Sequence, residues 1–258
     1  MVMYDNDNIF QKSFDNNYIS EPLLQAQWAE FVMLKKIITQ MYVQKNEPIS
    51  ILDIGIGSGR IAKHLSGIDE IWNMIAVFDG TDNAQACVNL TNETANELKI
   101  DNKVKAYFFD AQQLNTWSKT YDLIIITWFT AGNFYPDNFS FDTYNSGNDI
   151  LDLSQNQKFE TIFSAAYQLL NPNGKIVIGA CYIDNDATRI KQEQAYKKMG
   201  MSLITNNKDS FTATKEGFWS QRFTKEKLLN YLWFVDSKKI SFEPLDTYNF
   251  AMQVCIQK

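Results

Sequence analysis

Residues 51–60 read Ile-Leu-Asp-Ile-Gly-Ile-Gly-Ser-Gly-Arg, an apolar run that ends in glycines at alternate positions, Gly55, Gly57 and Gly59. Glycine at this spacing allows a tight turn whose backbone N–H groups can approach a ligand with no Cβ in the way. A helix expected to start near Ser58 would aim its positive end at the same spot. The chain must therefore begin an α/β unit here, with the turn as a ligand site. Arg60 stands where a dinucleotide fold wants a small residue for close helix packing. No Gly-Lys-Ser/Thr follows, so the phosphate-loop pattern is absent too. A nucleoside cofactor with no pyrophosphate to cradle fits this turn better.

The flanking pattern predicts how the unit continues. Leu23, Leu24, Trp28, Phe31, Val32, Leu34, Ile37, Ile38 and Met41 recur at helical spacing, which predicts an amphipathic helix over 22–44 with Pro22 in its first turn. Residues 1–21, rich in Asn, Asp, Tyr and Phe, read as a lid, with Tyr4, Phe10, Phe14 and Tyr18 placed to close over a ligand. Strands are expected at 49–54, 72–78, 103–109, 121–127 and 175–181. Helices are expected between them at 58–66, 82–98 (capped by Asp82) and 154–170. Asn171-Pro172-Asn173-Gly174 is a turn by its chemistry. The Tyr121–Thr127 run is almost continuously apolar, as for a strand covered on both faces. This alternation implies a parallel sheet with right-handed crossovers. Beyond residue 186 a helix to 198 leads into an antiparallel hairpin within 201–223. Thr224 then caps a helix to 233, and strands near 238–243 and 248–257 close the chain. One domain over 1–258 follows, made of an N-terminal lid and helix (1–44), a cofactor-binding core (45–182), a substrate-cap insertion (183–235) and closing strands (236–258).

Acidic and polar residues gather where the strands are expected to end. Asp79 lies ~20 residues past the turn, where a carboxylate can accept both ribose hydroxyls. Asp110 in Phe-Phe-Asp-Ala can accept an adenine amino proton while Ala111 leaves room for the ring. Thr127 and Trp128 end the fourth strand beside the first. In this order the segments Leu52–Gly59, Phe78-Asp79-Gly80-Thr81, Phe109-Asp110-Ala111 and Tyr121–Ile124, with the turn at 170–175, resemble the class I S-adenosylmethionine-dependent methyltransferases. The resemblance covers about residues 45–182. It implies a seven-stranded, mostly parallel sheet of order 3-2-1-4-5-7-6 with strand 7 antiparallel, flanked by helices, with the hairpin inserted after strand 5. It also implies S-adenosylmethionine as cofactor. Asp53, Gly55, Gly57 and Gly59 would surround its methionine part, and Asp79 would hold the ribose in a loop supported by Gly80 and Thr81. Asp110 and Ala111 would read the adenine, and Thr127 and Trp128 would line the floor near the sulfonium.

Composition narrows the acceptor. The formal charge is −6, with no basic stripe, which disfavours nucleic acid. The fourth strand runs on into Thr-Trp-Phe-Thr rather than the Asn/Asp-Pro-Pro-aromatic run of the nucleic-acid amine methyltransferases in this superfamily. His64 is the sole histidine and is expected to be structural or solvated, and no cluster has metal-ligand spacing, so metal dependence is not expected. Cys87, Cys181 and Cys255 read as free thiols in a reducing compartment. With no secretory signal and no membrane-length apolar run, the expected location is cytoplasmic. The expected acceptor is a small molecule, methylated on nitrogen or oxygen. Asn133 could orient an acceptor amine or carboxylate, Tyr182 or Trp219 could face a cationic amine, and Arg222 could pair with a substrate carboxylate or sit in a surface ion pair. Alternatives are a protein or RNA acceptor, a non-catalytic protein that binds the cofactor, or, less favoured, a nicotinamide-dependent oxidoreductase.

Overall fold

The computed structural model describes residues 19–147, 149 and 151–258. The lid expected over 1–21, with Tyr4, Phe10, Phe14 and Tyr18, lies almost wholly outside them. The described chain opens with α1 (Glu21–Lys45), then β1 (Ile49–Ile54), α2 (Arg60–Ser66), α3 (Asp69–Asn73), β2 (Ile75–Asp82), α4 (Gln85–Glu97) and β3 (Val104–Phe108). A 3-10 turn at Ala111–Thr116 leads to β4 (Tyr121–Ile126), and a second one at Thr130–Asn133 follows that strand. The remaining elements are α5 (Gln157–Gln168), β5 (Leu170–Tyr182), α6 (Asp186–Lys198), β6 (Phe211–Ala213), β7 (Trp219–Gln221), α7 (Lys225–Tyr231), β8 (Ile240–Pro244) and β9 (Ala251–Gln257).

The large sheet has the order β3-β2-β1-β4-β5-β9-β8. The first five strands are mutually parallel, and β9 runs antiparallel to both β5 and β8. Since β6 and β7 pair only with each other, the sheet strands counted alone follow the expected 3-2-1-4-5-7-6. Alternation of side chains builds the core on both faces. In β1 and β4, Ile49, Ile51, Leu123 and Ile125 enter the layer of α1–α4, while Leu52, Ile54, Ile124 and Ile126 enter the layer of α5 and α7. Both faces of these strands are thus buried, which explains the nearly continuous apolar run in β4. Among the described residues, no helix is long and apolar enough to cross a membrane.

Several boundaries differ from expectation, and those of β2, α2 and β5 do so for a local reason. Trp72 belongs to α3, whose first turn carries Asp69 and Glu70, suited to a helix N-terminus. Strand β2 therefore starts at Ile75 and continues through Gly80 to Asp82, pairing Ile54 with Thr81 and Phe108 with Asp82. Asp82 is the last strand residue, and α4 begins three residues later. Helix α2 begins at Arg60, because Gly59 takes a left-handed conformation with φ 69°. The 171–174 segment is an irregularity within β5, with Asn173 at φ 63°, and pairing jumps from Tyr121–Leu170 to Leu123–Lys175.

Asp122 ties that irregularity to the neighbouring strands. Its carboxylate accepts from the Ser50 N–H (2.8 Å), Lys45 Nζ (2.9 Å) and Asn171 Nδ2 (2.9 Å). Burial disfavours the charge, but these bonds outweigh it and hold the pKa below the usual carboxylate range. A lowered folded-state pKa contributes stability that is complete above the ordinary value near ~3.9 and is lost as pH falls through the folded value. Asp122→Asn is expected to lower stability by about 1–3 kcal/mol at pH 7, and the deficit should shrink below pH ~4, as followed by urea unfolding at both pH values.

Candidate functional site

The carboxyl ends of β1–β4 open onto a cavity of about 810 Å³, within the ~300–1,000 Å³ usual for small-molecule sites. One wall is the glycine turn. Gly55, Gly57 and Gly59 have φ of 75°, 58° and 69°, so all three use the freedom that placed glycine there. A Cβ on Gly55 would lie 2.5 Å from Thr130 Cγ2, and one on Gly59 would lie 3.0 Å from Thr91 Cγ2. The turn is fastened to β2 and α4. The N–H groups of Gly55 and Ile56 donate to the Thr81 carbonyl (2.8 and 3.0 Å), and the Thr91 hydroxyl donates to the Gly57 carbonyl (2.8 Å). Asp82 accepts from the Gly57 N–H (3.0 Å) and from the Ala84 N–H (2.9 Å). Burial raises its pKa, and these backbone bonds oppose the rise.

Asp110, Ala111 and Gln112 form the next part of the wall. The Asp110 side chain caps the following 3-10 turn, accepting from the Gln112 N–H at 2.9 Å. Thr127 and Trp128 line the cavity beyond β4, where Trp128 and Phe129 take φ of 51° and 63°. A buried acid holds this strained step. Glu30 of α1, fully buried, accepts from the Trp128 N–H (2.9 Å) and pairs with Arg60 (2.5 Å), whose guanidinium lies 5.2 Å from the Trp128 ring. A further group of lining residues comprises Asn133, Phe134, Tyr135, Lys158, Ile162 and Trp219.

Several residues expected at the site lie elsewhere. Asp79 sits mid-strand, buried, accepting from Tyr121 Oη (2.6 Å) and Lys119 Nζ (2.7 Å), and does not reach the cavity. Gly80 packs under Ile56, whose side chain occupies the space a Cβ would need. Gly59 caps α2 with its backbone and is not on the cavity wall. Tyr182 is buried in a stack on Phe129, with ring centroids 3.7 Å apart. Arg222 is neither a substrate group nor a surface ion pair. It is buried, donating to Gln192 (2.7 Å), Thr212 (2.8 Å), the Asp209 carbonyl and Asp184 (3.3 Å). Asp53 lies behind the turn rather than on the cavity wall. Burial pushes its pKa up to about 8, with Arg60 opposing and Glu30 and Asp82 adding to the rise. His64, in contrast, lines the cavity, 5.2 Å from the Phe31 ring, and burial with the nearby Arg60 and Lys63 charges lowers its pKa.

The sequence held a signal for the acids that were missed. Asp82 stands three residues before the start of α4, in the strand-to-helix turn where an acid ending a strand is ordinarily found, and Glu30 interrupts the buried stripe Leu23, Ala26, Phe31, Leu34.

No protein-family model matches the sequence, and no curated protein matches it. Solved structures share its architecture. The chain is similar to the plantazolicin methyltransferase BamL, solved with a triazolic desmethylPZN analogue and SAH, at TM-score 0.59 and 13% identity over 99% of this chain and 92% of that one. It is also similar to a S-adenosylmethionine-dependent methyltransferase from Clostridium acetobutylicum, at TM-score 0.54 and 12% identity over 97% and 95% of the two chains. The chain has the class I S-adenosylmethionine-dependent methyltransferase fold. The residues present fit that methyltransferase cofactor. The turn presents backbone without a Cβ, Asp82 and Asp110 offer carboxylates at the ends of neighbouring strands, and the Thr81 hydroxyl is buried on the wall with no partner.

Asp53 also makes stability pH-dependent. Its folded pKa is raised, so its favourable contribution is complete below pH ~4 and drains away as pH rises towards 8. Each pH unit in that window costs up to about 1.4 kcal/mol. Asp53→Asn should flatten the decline in urea midpoint between pH 5 and pH 8, and parallel profiles for the two proteins would contradict the assignment.

Proposed function

We propose that this chain is a S-adenosylmethionine-dependent methyltransferase that acts on nitrogen or oxygen of a small molecule by in-line displacement, without a metal. The observation that carries the reading is the convergence of the glycine turn, Asp82 and Asp110 on one cavity at the carboxyl ends of β1–β3. Ligands of open parallel sheets lie in that crevice. When bound, the cofactor supplies a methyl group on a sulfonium, which an acceptor lone pair displaces while the carbon–sulfur bond pair passes to sulfur.

The protein's task is then alignment and exclusion of water, worth up to ~7–11 kcal/mol for well-oriented reactants. In this reading Asp82 accepts the ribose hydroxyls in place of Asp79, since only Asp82 is on the wall. Thr81 and Ala111 flank the nucleoside, and Asp110 takes the adenine amino group. Gly55 and Gly57 face the amino-acid part, with Arg60 held against Trp128 by Glu30. Asp53, raised towards neutrality by its burial, precedes the turn at the end of β1 without lining the cavity. SAH bound in a neighbour of the same fold supports the choice of cofactor.

Calorimetric titration with S-adenosylhomocysteine tests the reading. Binding is expected, and NADH should give no heat. Asp82→Ala should weaken S-adenosylhomocysteine about 10–100-fold, the loss of one or two charge-assisted bonds at ~1.5–3 kcal/mol. Asp79→Ala should leave affinity within about twofold while lowering the melting temperature, because Tyr121 and Lys119 lose their shared acceptor. An affinity that falls with Asp79 and not with Asp82 would reverse the ribose assignment.

A further inference from the structure

Resting on the methyltransferase reading, we infer that the acceptor is a planar aromatic acid, whose carboxylate is received by Lys158 and Trp219 and whose ring lies among Phe134 and Tyr135. The wall beyond the nucleoside residues is formed by Asn133, Phe134, Tyr135, Lys158, Ile162 and Trp219. Lys158 is the one charged side chain in that group. Its side chain is only 14% exposed, and its ammonium lies 4.3 Å from the centroid of the Tyr135 ring, which fixes it by cation–π attraction.

The helix that carries this ammonium does not itself favour a cation there, so an anion beside it is needed. Lys158 is the second residue of α5, and the helix field at its N-terminus opposes a cation. Its one ion-pair partner among the described residues is Asp137, at 3.1 Å, whose side chain is 72% exposed. A pair with so exposed a partner is weak and easily exchanged. A ligand carboxylate could replace Asp137 and bring its charge into a less hydrated place, where the attraction is stronger.

The second observation is independent. Trp219 is 1% exposed and lies on the same wall, stacked on Phe211 at 4.0 Å, and its indole N–H donates to nothing. An indole nitrogen can only donate, so its missing partner must be an acceptor. Its ring lies 6.1 Å from that of Tyr135, so both belong to one aromatic cluster. A buried donor and a half-buried cation call for the same chemistry, an anionic oxygen. The surrounding rings favour a planar body over an aliphatic one. A cationic amine would meet Lys158 as a like charge, so this inference departs from the expectation that Trp219 faces such an acceptor.

Asn156 keeps the two sides of this chamber in register. Its amide caps α5 through the Phe159 N–H (3.1 Å) and donates to the Phe134 carbonyl (2.6 Å). Lys158 and the 133–135 segment are therefore set by one buried side chain.

The test uses the full chain saturated with S-adenosylhomocysteine and three probes followed by calorimetry: salicylate, benzylamine and acetate. Salicylate is expected to bind at least tenfold more tightly than benzylamine or acetate. Lys158→Gln should weaken salicylate at least tenfold while S-adenosylhomocysteine affinity stays within twofold, which also shows that the variant folds. Lys158→Arg should restore most of the loss, and Trp219→Phe should weaken salicylate several-fold by removing the donor but keeping a ring. Benzylamine binding as well as salicylate, no salicylate binding, or indifference of salicylate to Lys158→Gln would overturn the inference. The cofactor reading fails separately, by absence of S-adenosylhomocysteine binding. Salicylate held by Lys158 in the free protein would then leave the chamber assignment standing.

Discussion

The attachment of the glycine turn to the end of β2 is the constraint on which the site depends. Three N–H groups of the turn, from Gly55, Ile56 and Gly57, are taken up by the Thr81 carbonyl and the Asp82 carboxylate. With those donors satisfied, the left-handed conformations of Gly55 and Gly57 are held in place by the fold rather than by a ligand. The Thr91 hydroxyl secures the far side of the turn from α4. Any ligand in the cavity thus meets a backbone surface already arranged for it, at no further ordering cost.

A second fastening works from the opposite direction. Glu30 reaches from α1 to hold Arg60 at the start of α2 and the Trp128 N–H beyond β4. A Cβ on Gly179 of β5 would run into this carboxylate, so the strand has no side chain there. Removing one partner of such a buried pair leaves an uncompensated charge, which is far more costly than the pair is stabilising. The cavity wall is therefore coupled to the N-terminal helix through charge, while the sheet below it is held by ordinary apolar packing on two faces.

Regular elements were legible because their signals are local. The range of β1 and that of α6 agree with the periodicity of the sequence to the residue, the parallel pairing of β1–β5 follows from the alternation of elements, and the sheet order is the one the family resemblance implied. Gly55, Gly57, Thr81, Asp110, Ala111, Thr127, Trp128, Asn133 and Trp219 all reach the cavity, as expected from motif position. Asp79 did not, because the second strand was expected to stop at Phe78, which put Asp79 at its end and Gly80 beyond it. In the fold that glycine is an interior residue that makes room for Ile56, and the strand runs two residues further to Asp82. Arg222 and Tyr182 were misplaced for another reason. Their partners, Gln192 and Thr212 in one case and Phe129 in the other, are distant in sequence, and no local pattern announces them. The same holds for Glu30 and Lys158, whose roles depend on what three separate elements bring beside them.

The central claim is spatial: the nucleoside lies between the glycine turn and the ends of β2 and β3. A crystal structure of the chain with S-adenosylhomocysteine tests it most directly. The account predicts both ribose hydroxyls within hydrogen-bond distance of the Asp82 carboxylate and the adenine beside Asp110 and Ala111. A ribose turned away from Asp82, or a nucleoside bound outside this crevice, would contradict it.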